Sequence, residues 1–174
     1  LVVAGWKALD PPLAKQVVRD TDCGAHDTAL EDRRARAHPS LVVNEAGLKK
    51  LGLDPSARVH SLTVIGEDPV VMLEAPINAT KIALKKAGMK IDDIDLYEVN
   101  EAFASVPMAW LKELGADPAK LNVNGGAIAL GHPLGASGTK LMSTLIHALK
   151  ARGGKYGLQT MCEGGGLANV TILE

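Results

Sequence analysis

Three side chains in this sequence have the types and settings that nucleophilic or proton-transfer chemistry needs. Asn100 stands in "YEVNEAFA", directly after a run that reads as a strand. His132 lies inside "NGGAIALGHPLGASG" (124–138), and Cys162 inside "MCEGGG" (161–166). A cysteine there can be a nucleophile, a metal ligand, a proton-transfer group or a small buried hydrophobe before a turn. Imidazole takes up and releases protons near neutrality. Glycines beside His132 and Cys162 let backbone N–H groups point at a ligand, which is what an oxyanion site requires. A free thiol has a pKa of about 8.5, so little of it is thiolate at neutral pH, and a neighbouring imidazole or backbone donors raise that fraction. One well-placed oxyanion donor is worth roughly 3–4 kcal/mol.

Each residue also has a plain structural reading. A lone Cys162 is an ordinary buried thiol, Asn100 alone is a helix cap, and Phe103 is as good a core residue as a substrate contact. Their joint occurrence at the ends of regular elements favours a site, because such ends expose active groups. Competing motifs are weak. Cys23 and His26 have zinc-like spacing, but no second ligand pair follows, so no metal is expected. "GASGTK" lacks the Gly-Lys-Ser/Thr order of a phosphate loop.

The elements that must position these groups are legible after Leu41. "LVV" (41–43) is a short apolar run, Asn44 is a good N-cap, and a short helix to Leu51 is closed by Gly52. "RVHSLTVIG" (58–66) alternates and is β-branched, as a strand does. Asn78 to Gly88 places Ala79, Ile82, Ala83 and Ala87 on one helical face. "IDLYEV" (94–99) is a second strand. From Glu101 to Gly115, Phe103, Val106, Trp110, Leu111 and Leu114 keep helical spacing, with Pro107 acceptable only in the first turns. Residues 122–138 are too glycine-rich for a regular element. Leu141, Met142, Leu145, Ile146 and Leu149 then form one helical stripe, opposite Lys140, Ser143, His147 and Lys150. "YGLQTMC" and "LANVTILE" are two strands joined across Glu163–Gly166 as a hairpin. The order predicts an α/β fold, a mixed sheet covered by helices and ending in a β-hairpin.

The totals exclude several classes. The 174 residues suit one domain, or one domain with an extra segment. A net charge of −1 and 3% aromatic residues argue against nucleic-acid partners. No run is long enough for a membrane span, and the apolar start "LVVAGWKALD" has no basic leader, so no membrane partner and no signal peptide are expected. Two cysteines fit a reducing, cytoplasmic setting. Most of the 18 glycines follow Asn124.

"NEAFA" (100–104), "NGGAIALGHPLGASG" (124–138) and "CEGGG" (162–166) together resemble the thiolase family, in the family's order and with similar separations. The resemblance covers roughly Leu41 to Glu174, the C-terminal domain of a thiolase. It implies making or breaking a carbon–carbon bond between acyl groups on coenzyme A, in fatty acid metabolism such as β-oxidation. A nucleophilic cysteine in the N-terminal half takes the acyl group, and a second thiolate moves the α-proton of acetyl-CoA. By resemblance, Cys162 is that second cysteine. His132 activates the nucleophile and then donates to the enolate oxygen, and Asn100 holds the water completing that hole. Gly164 lends its N–H to a second oxyanion hole, and Ala102 and Phe103 lie beside the pantetheine arm. Acyl-CoA and coenzyme A are the implied partners, coenzyme A as substrate with no other cofactor, and the full-length family forms homo-oligomers.

Two further readings differ in class. The chain alone is catalytically incompetent, lacking the nucleophile, and its exposed side seeks a complementing partner; or it is a non-catalytic acyl-CoA-binding module on the same fold. Cys23, in "TDCGAHD", does not match the nucleophile motif. Leu1–Ser40 lies outside the resemblance. Between Thr21 and Ser40 its sole large aliphatic is Leu30, and such a stretch buries too little surface to order readily. A shifted frame or misjoined gene model accounts for it and predicts poor order before Leu41. A carboxylate at Glu163, beside Cys162, is expected to point away from the thiol.

Overall fold

The computed structural model describes residues 2–5, 40–52 and 54–174. These fall into two compact units, Leu1–Ser56 and Ala57–Glu174. The poor order expected of Leu1–Ser40 concerns mainly residues 6–39, which lie outside the described residues, as do Cys23 and His26.

In the first unit, β1 (Val2–Gly5) pairs antiparallel with β2 (Ser40–Val43), Val2 opposite Val43 and Gly5 opposite Ser40. Helix α1 (Glu45–Leu51) follows with the ends the sequence announces. Asn44 Oδ1 accepts the Gly47 N–H at 2.8 Å, satisfying one of the orphan donors of the first turn. Gly52 closes the helix in the left-handed region at φ 61°.

The second unit holds a four-stranded mixed sheet in the order β3 (Ala57–Gly66), β6 (Leu167–Leu173), β5 (Gly157–Cys162), β4 (Leu96–Val99). β3 and β5 both run antiparallel to β6, while β4 runs parallel to β5. Helix α2 (Ala75–Ala87) and helix α3 (Ser105–Leu114) cover one face. Ala75, Ala79 and Ala83 of α2 are fully buried, and their small side chains bring the helix close to Ala168, Val170 and Ile172. Trp110 Nε1–H donates to Thr80 Oγ1 at 2.9 Å, and that hydroxyl donates to the Pro76 carbonyl at 2.7 Å, so the largest core side chain buries no unmet donor.

Helix α5 (Ser137–Arg152) covers the opposite face over β4 and β5. A Cβ on Gly157 would stand 2.7 Å from Leu149 Cδ1 and 2.9 Å from Leu145 Cδ2, so glycine there admits the helix. Strand alternation then assigns Leu96, Glu98, Gln159 and Met161 to the α5 face, and Tyr97, Val99, Leu158 and Thr160 to the α2 face.

Four details depart from the sequence reading. Helix α2 begins at Ala75, three residues early, because Pro76 falls in the first turn, where its missing N–H is harmless. Ile82 is exposed, and Thr80 and Leu84 take the buried places. Glu101 and Phe103 precede α3 rather than lying within it. The glycine-rich stretch contains a one-turn helix, α4 (Ala127–Leu130), where four glycine-free residues stand between Gly126 and Gly131.

Candidate functional site

The parallel pairing of β4 and β5 sets the geometry. Val99 stands opposite Thr160, and the Asn100 N–H continues the ladder to the Thr160 carbonyl at 3.0 Å. Asn100 therefore lies at the carboxyl end of β4, and Cys162 at the carboxyl end of its neighbour β5. That edge is where open α/β sheets place their ligands. Asn100 is 1% exposed, and its Oδ1 has no hydrogen-bond partner.

β4 is the outermost strand of its sheet, yet its free side is covered. Leu121 forms a parallel bridge to Tyr97, and the Asn122 N–H donates to the Tyr97 carbonyl at 2.8 Å. The Asn122 side chain then imitates a strand. Its Oδ1 accepts the Val99 N–H at 2.9 Å, and its Nδ2 donates to the Val99 carbonyl at 3.0 Å. The chain is thereby turned back over the carboxyl edge, and the loop carrying His132 follows.

Glu101 ties that loop down. Its Oε1 accepts from Asn122 Nδ2 at 3.0 Å and its Oε2 from the Ile128 N–H at 2.8 Å. Its carboxyl carbon lies 2.5 Å from where a Gly126 Cβ would be, so a side chain there would have to displace the carboxylate. Beyond α4, Lys140 Nζ donates to the Leu130 carbonyl and, at 3.1 Å, to that of Gly131.

His132 is oriented by the first turn of α5. Its Nδ1 is 2.6 Å from Ser137 Oγ, and Ser137 Oγ donates to the Pro133 carbonyl at 3.1 Å. A hydroxyl has one proton, so with that proton on the carbonyl its lone pair faces the imidazole. In either tautomer the hydroxyl holds the ring through Nδ1. The same turn rests on β5, since a Cβ on Gly138 would be 3.6 Å from both Gln159 Nε2 and Met161 Sδ, one residue before Cys162.

Cys162 is half-buried and has a free thiol. Burial pushes its pKa above the ordinary thiol value, its own backbone N–H draws it back, and Glu163 adds a smaller upward push. Glu163 Oε1 accepts from Asn169 Nδ2, so the carboxylate is held by β6 while its charge still reaches the thiol. The turn after Cys162 is closed by Leu167 N–H to the Gly164 carbonyl, 3.1 Å, and Glu163 N–H to the Leu167 carbonyl, 2.9 Å. Gly164 has φ 75° and open space where a side chain would stand. Phe103 is 60% exposed and Ala102 half-buried, both in the turn between Asn100 and α3.

Asn100 and Cys162 thus share one edge, and the His132 loop is fastened to that edge through Glu101, Asn122 and the first turn of α5. Two acidic residues of this neighbourhood were not foreseen. Glu101 sits inside the quoted motif, but nothing in the sequence marks its contact with the Gly126 position. Glu98, 1% exposed beside its register partner Gln159, has an Oε2 without a partner, as does Gln159 Oε1. Burial first, and then the charge of Glu101, push the Glu98 pKa up to about 8. Among the described residues no cluster of three or more His, Cys, Asp or Glu could hold a metal ion, and no helix is long and apolar enough to cross a membrane.

Comparison with known proteins gives the arrangement its context. A steroid 3-ketoacyl-CoA thiolase of Mycobacterium tuberculosis is 62% identical over 134 residues, 77% of this chain and 33% of the relative. A 3-ketoacyl-CoA thiolase of Yersinia enterocolitica is 45% identical over 175 residues, 99% of this chain and 44% of the relative, an alignment that takes in residues before Leu41. The crystal structure of human mitochondrial 3-ketoacyl-CoA thiolase in complex with CoA superposes with a TM-score of 0.71 at 48% identity, over 74% of this chain and 33% of that one. The chain thus spans between a third and just under half of the length of these proteins. Residues 53–174 match the family described as thiolase, C-terminal domain. The chain belongs to the thiolase family, and the part of it that the match covers is that family's C-terminal domain.

Proposed function

We propose that this chain supplies the proton-transfer half of an acyl-CoA C-acyltransferase, which cleaves 3-ketoacyl-CoA with coenzyme A or runs the reverse Claisen condensation. The reading is supported by Asn100 and Cys162 ending neighbouring parallel strands at one edge of the sheet, with the loop that leads to His132 tied to Glu101, the residue after Asn100. The relatives named above are 3-ketoacyl-CoA thiolases, and one was solved with CoA. Acyl-CoA and coenzyme A are the substrates on this reading.

The roles follow from the chemistry of the groups. His132 Nε2 takes the proton of a nucleophilic thiol contributed by the N-terminal half and, once charged, donates to the enolate oxygen. Asn100 holds the water that completes that oxyanion hole. Cys162 removes the α-proton of the incoming acetyl thioester and returns it in the thiolytic direction. Its raised pKa makes each thiolate a stronger base but a rarer one, so the bound substrate and neighbouring donors must favour the ionised form. The Gly164 N–H serves the hole for the tetrahedral intermediate, and Ala102 and Phe103 flank the pantetheine arm. A cytoplasmic homo-oligomer is part of the same proposal, by resemblance to the full-length family.

Thiolysis of acetoacetyl-CoA tests the reading, using the chain joined to the N-terminal half of a relative. Turnover is expected, with a loss of about 100- to 10,000-fold in Cys162→Ala, the range for removing a general acid–base group. Undiminished turnover in that variant refutes the assignment. Turnover by the chain alone, lost in Cys162→Ala, would place a nucleophile within these residues and return attention to Cys23.

A further inference from the structure

Glu101 is the junction between the two parts of the site, and among the described residues its hydrogen bonds go to Asn122 and Ile128, not to Asn100's side chain or His132. Its carboxylate bridges three pieces of chain. It follows Asn100 directly, it holds the Asn122 amide that brackets Val99, and it accepts the Ile128 N–H at the start of α4. The α4 turn has no side-chain cap of its own, so Glu101 is the acceptor its first turn uses. Four residues past Ile128 the chain reaches His132, whose ring is fixed from the other side by Ser137. Gly126 is the complement to this arrangement, because any side chain there would occupy the space of the carboxyl group.

We propose that Glu101 is a positioning residue for the acyl-transfer reaction, setting the separation between the Asn100 end of β4 and the His132 loop by accepting at once from Asn122 and Ile128. The proposal rests on the acyltransferase reading for its consequence in catalysis, but not for its consequence in structure. Both oxygens are used, so the two substitutions grade the effect. Glu101→Gln keeps one acceptor oxygen and must present an amide N–H₂ to the other donor. Glu101→Ala removes both acceptors and opens a void against Gly126.

A chemically simple group that acts only through geometry should affect the chemical step more than binding. A misplacement on the order of 1 Å is enough to cost about 100-fold in rate. With the N-terminal half joined, Glu101→Ala is expected to lower kcat for acetoacetyl-CoA thiolysis by about 100-fold while KM changes by less than about threefold, and Glu101→Gln should fall between. The second measurement is made on this chain alone, without substrate. Amide hydrogen exchange at Ile128 and the NMR ring shifts of His132 are recorded in the parent and both variants, with far-UV circular dichroism to establish folding. Loss of Ile128 protection together with displaced His132 ring shifts in a folded Glu101→Ala supports the proposal. An unchanged His132 spectrum and a kcat within twofold of the parent overturn it. A global loss of fold in Glu101→Ala transfers both readouts to Glu101→Gln, under the same criteria. If the joined parent itself shows no thiolysis, the acyltransferase reading fails, while the exchange and ring-shift data still decide whether Glu101 holds the loop.

Discussion

Glu98 makes the sharpest demand on the physics, because a carboxyl group 1% exposed with an unpartnered oxygen must affect stability when it ionises. Burial and the nearby Glu101 push its pKa from 4.5 to about 8. In the unfolded chain the group loses its proton near pH 4.5; in the folded chain it keeps that proton until about pH 8. Folding therefore takes up a proton throughout that window, and stability falls as pH rises through it. Below the window the group contributes nothing to the pH dependence. Each pH unit inside it is worth about 1.4 kcal/mol, so the penalty at pH 7 is about 3 kcal/mol and levels off near 5 kcal/mol above pH 8.

Glu98→Gln removes the titration while keeping the shape and a hydrogen-bond donor. Urea unfolding followed by circular dichroism at pH 5, 7 and 9 should show the variant gaining on the parent by roughly 1, 3 and 5 kcal/mol. The gain has the opposite sign from that of losing a salt-bridged carboxylate, which makes the two cases easy to separate. Parent and variant losing stability in parallel from pH 5 to 9 would refute the argument, because the carboxyl group would then have the same proton affinity in both states.

Two other outcomes follow from the same neighbourhood. In a Cys23→Ala background, the pH midpoint for alkylation of Cys162 by iodoacetamide should lie above that of an unstructured cysteine peptide measured alongside, since burial is the largest influence on the thiol; a midpoint at or below the peptide's contradicts that. Gly126→Ala should destabilise the fold by about 1–3 kcal/mol in urea melts, although its φ of −89° suits any residue, because the added Cβ meets the Glu101 carboxyl carbon at 2.5 Å; a neutral outcome would mean that the carboxylate moves aside freely.

Much of the frame was legible because local signals decided it. Asn44 and Gly52 bound α1 as caps do, and β3, β4 and the terminal hairpin arise where alternation and β-branching place them. The family was legible for a different reason, since three motifs in fixed order are far more specific than any one. What escaped was set by tertiary contact. Ile82 has the right period for the core but faces out, since the α2 surface toward the sheet is made of alanines that permit close approach. Glu101 fits a helical period yet stands outside α3, where its carboxylate has two backbone-fixing duties. Glu98 looks like an ordinary polar position of a strand. Nothing in "IDLYEV" announces that α5 covers one face of β4 and that Asn122 closes its edge.

The direction of β4 decides which edge of the sheet these pieces reach. Parallel to β5, it delivers Asn100 to the same edge as Cys162. Were it antiparallel, Asn100 would emerge at the far end of β5, a six-residue strand about 20 Å long. A parallel pair needs a long crossover, and here the crossover contains α3, α4 and α5. It must pass the carboxyl edge of β4 at its start, and Asn122 makes it pass there a second time by pairing with Tyr97 and Val99. The second pass is the one that carries His132. The strand direction, the false strand made by Asn122 and the Glu101 clamp are therefore three parts of one solution. The tension at Glu98 belongs to the same enclosed strand, where one oxygen of that buried carboxyl group is left without a partner.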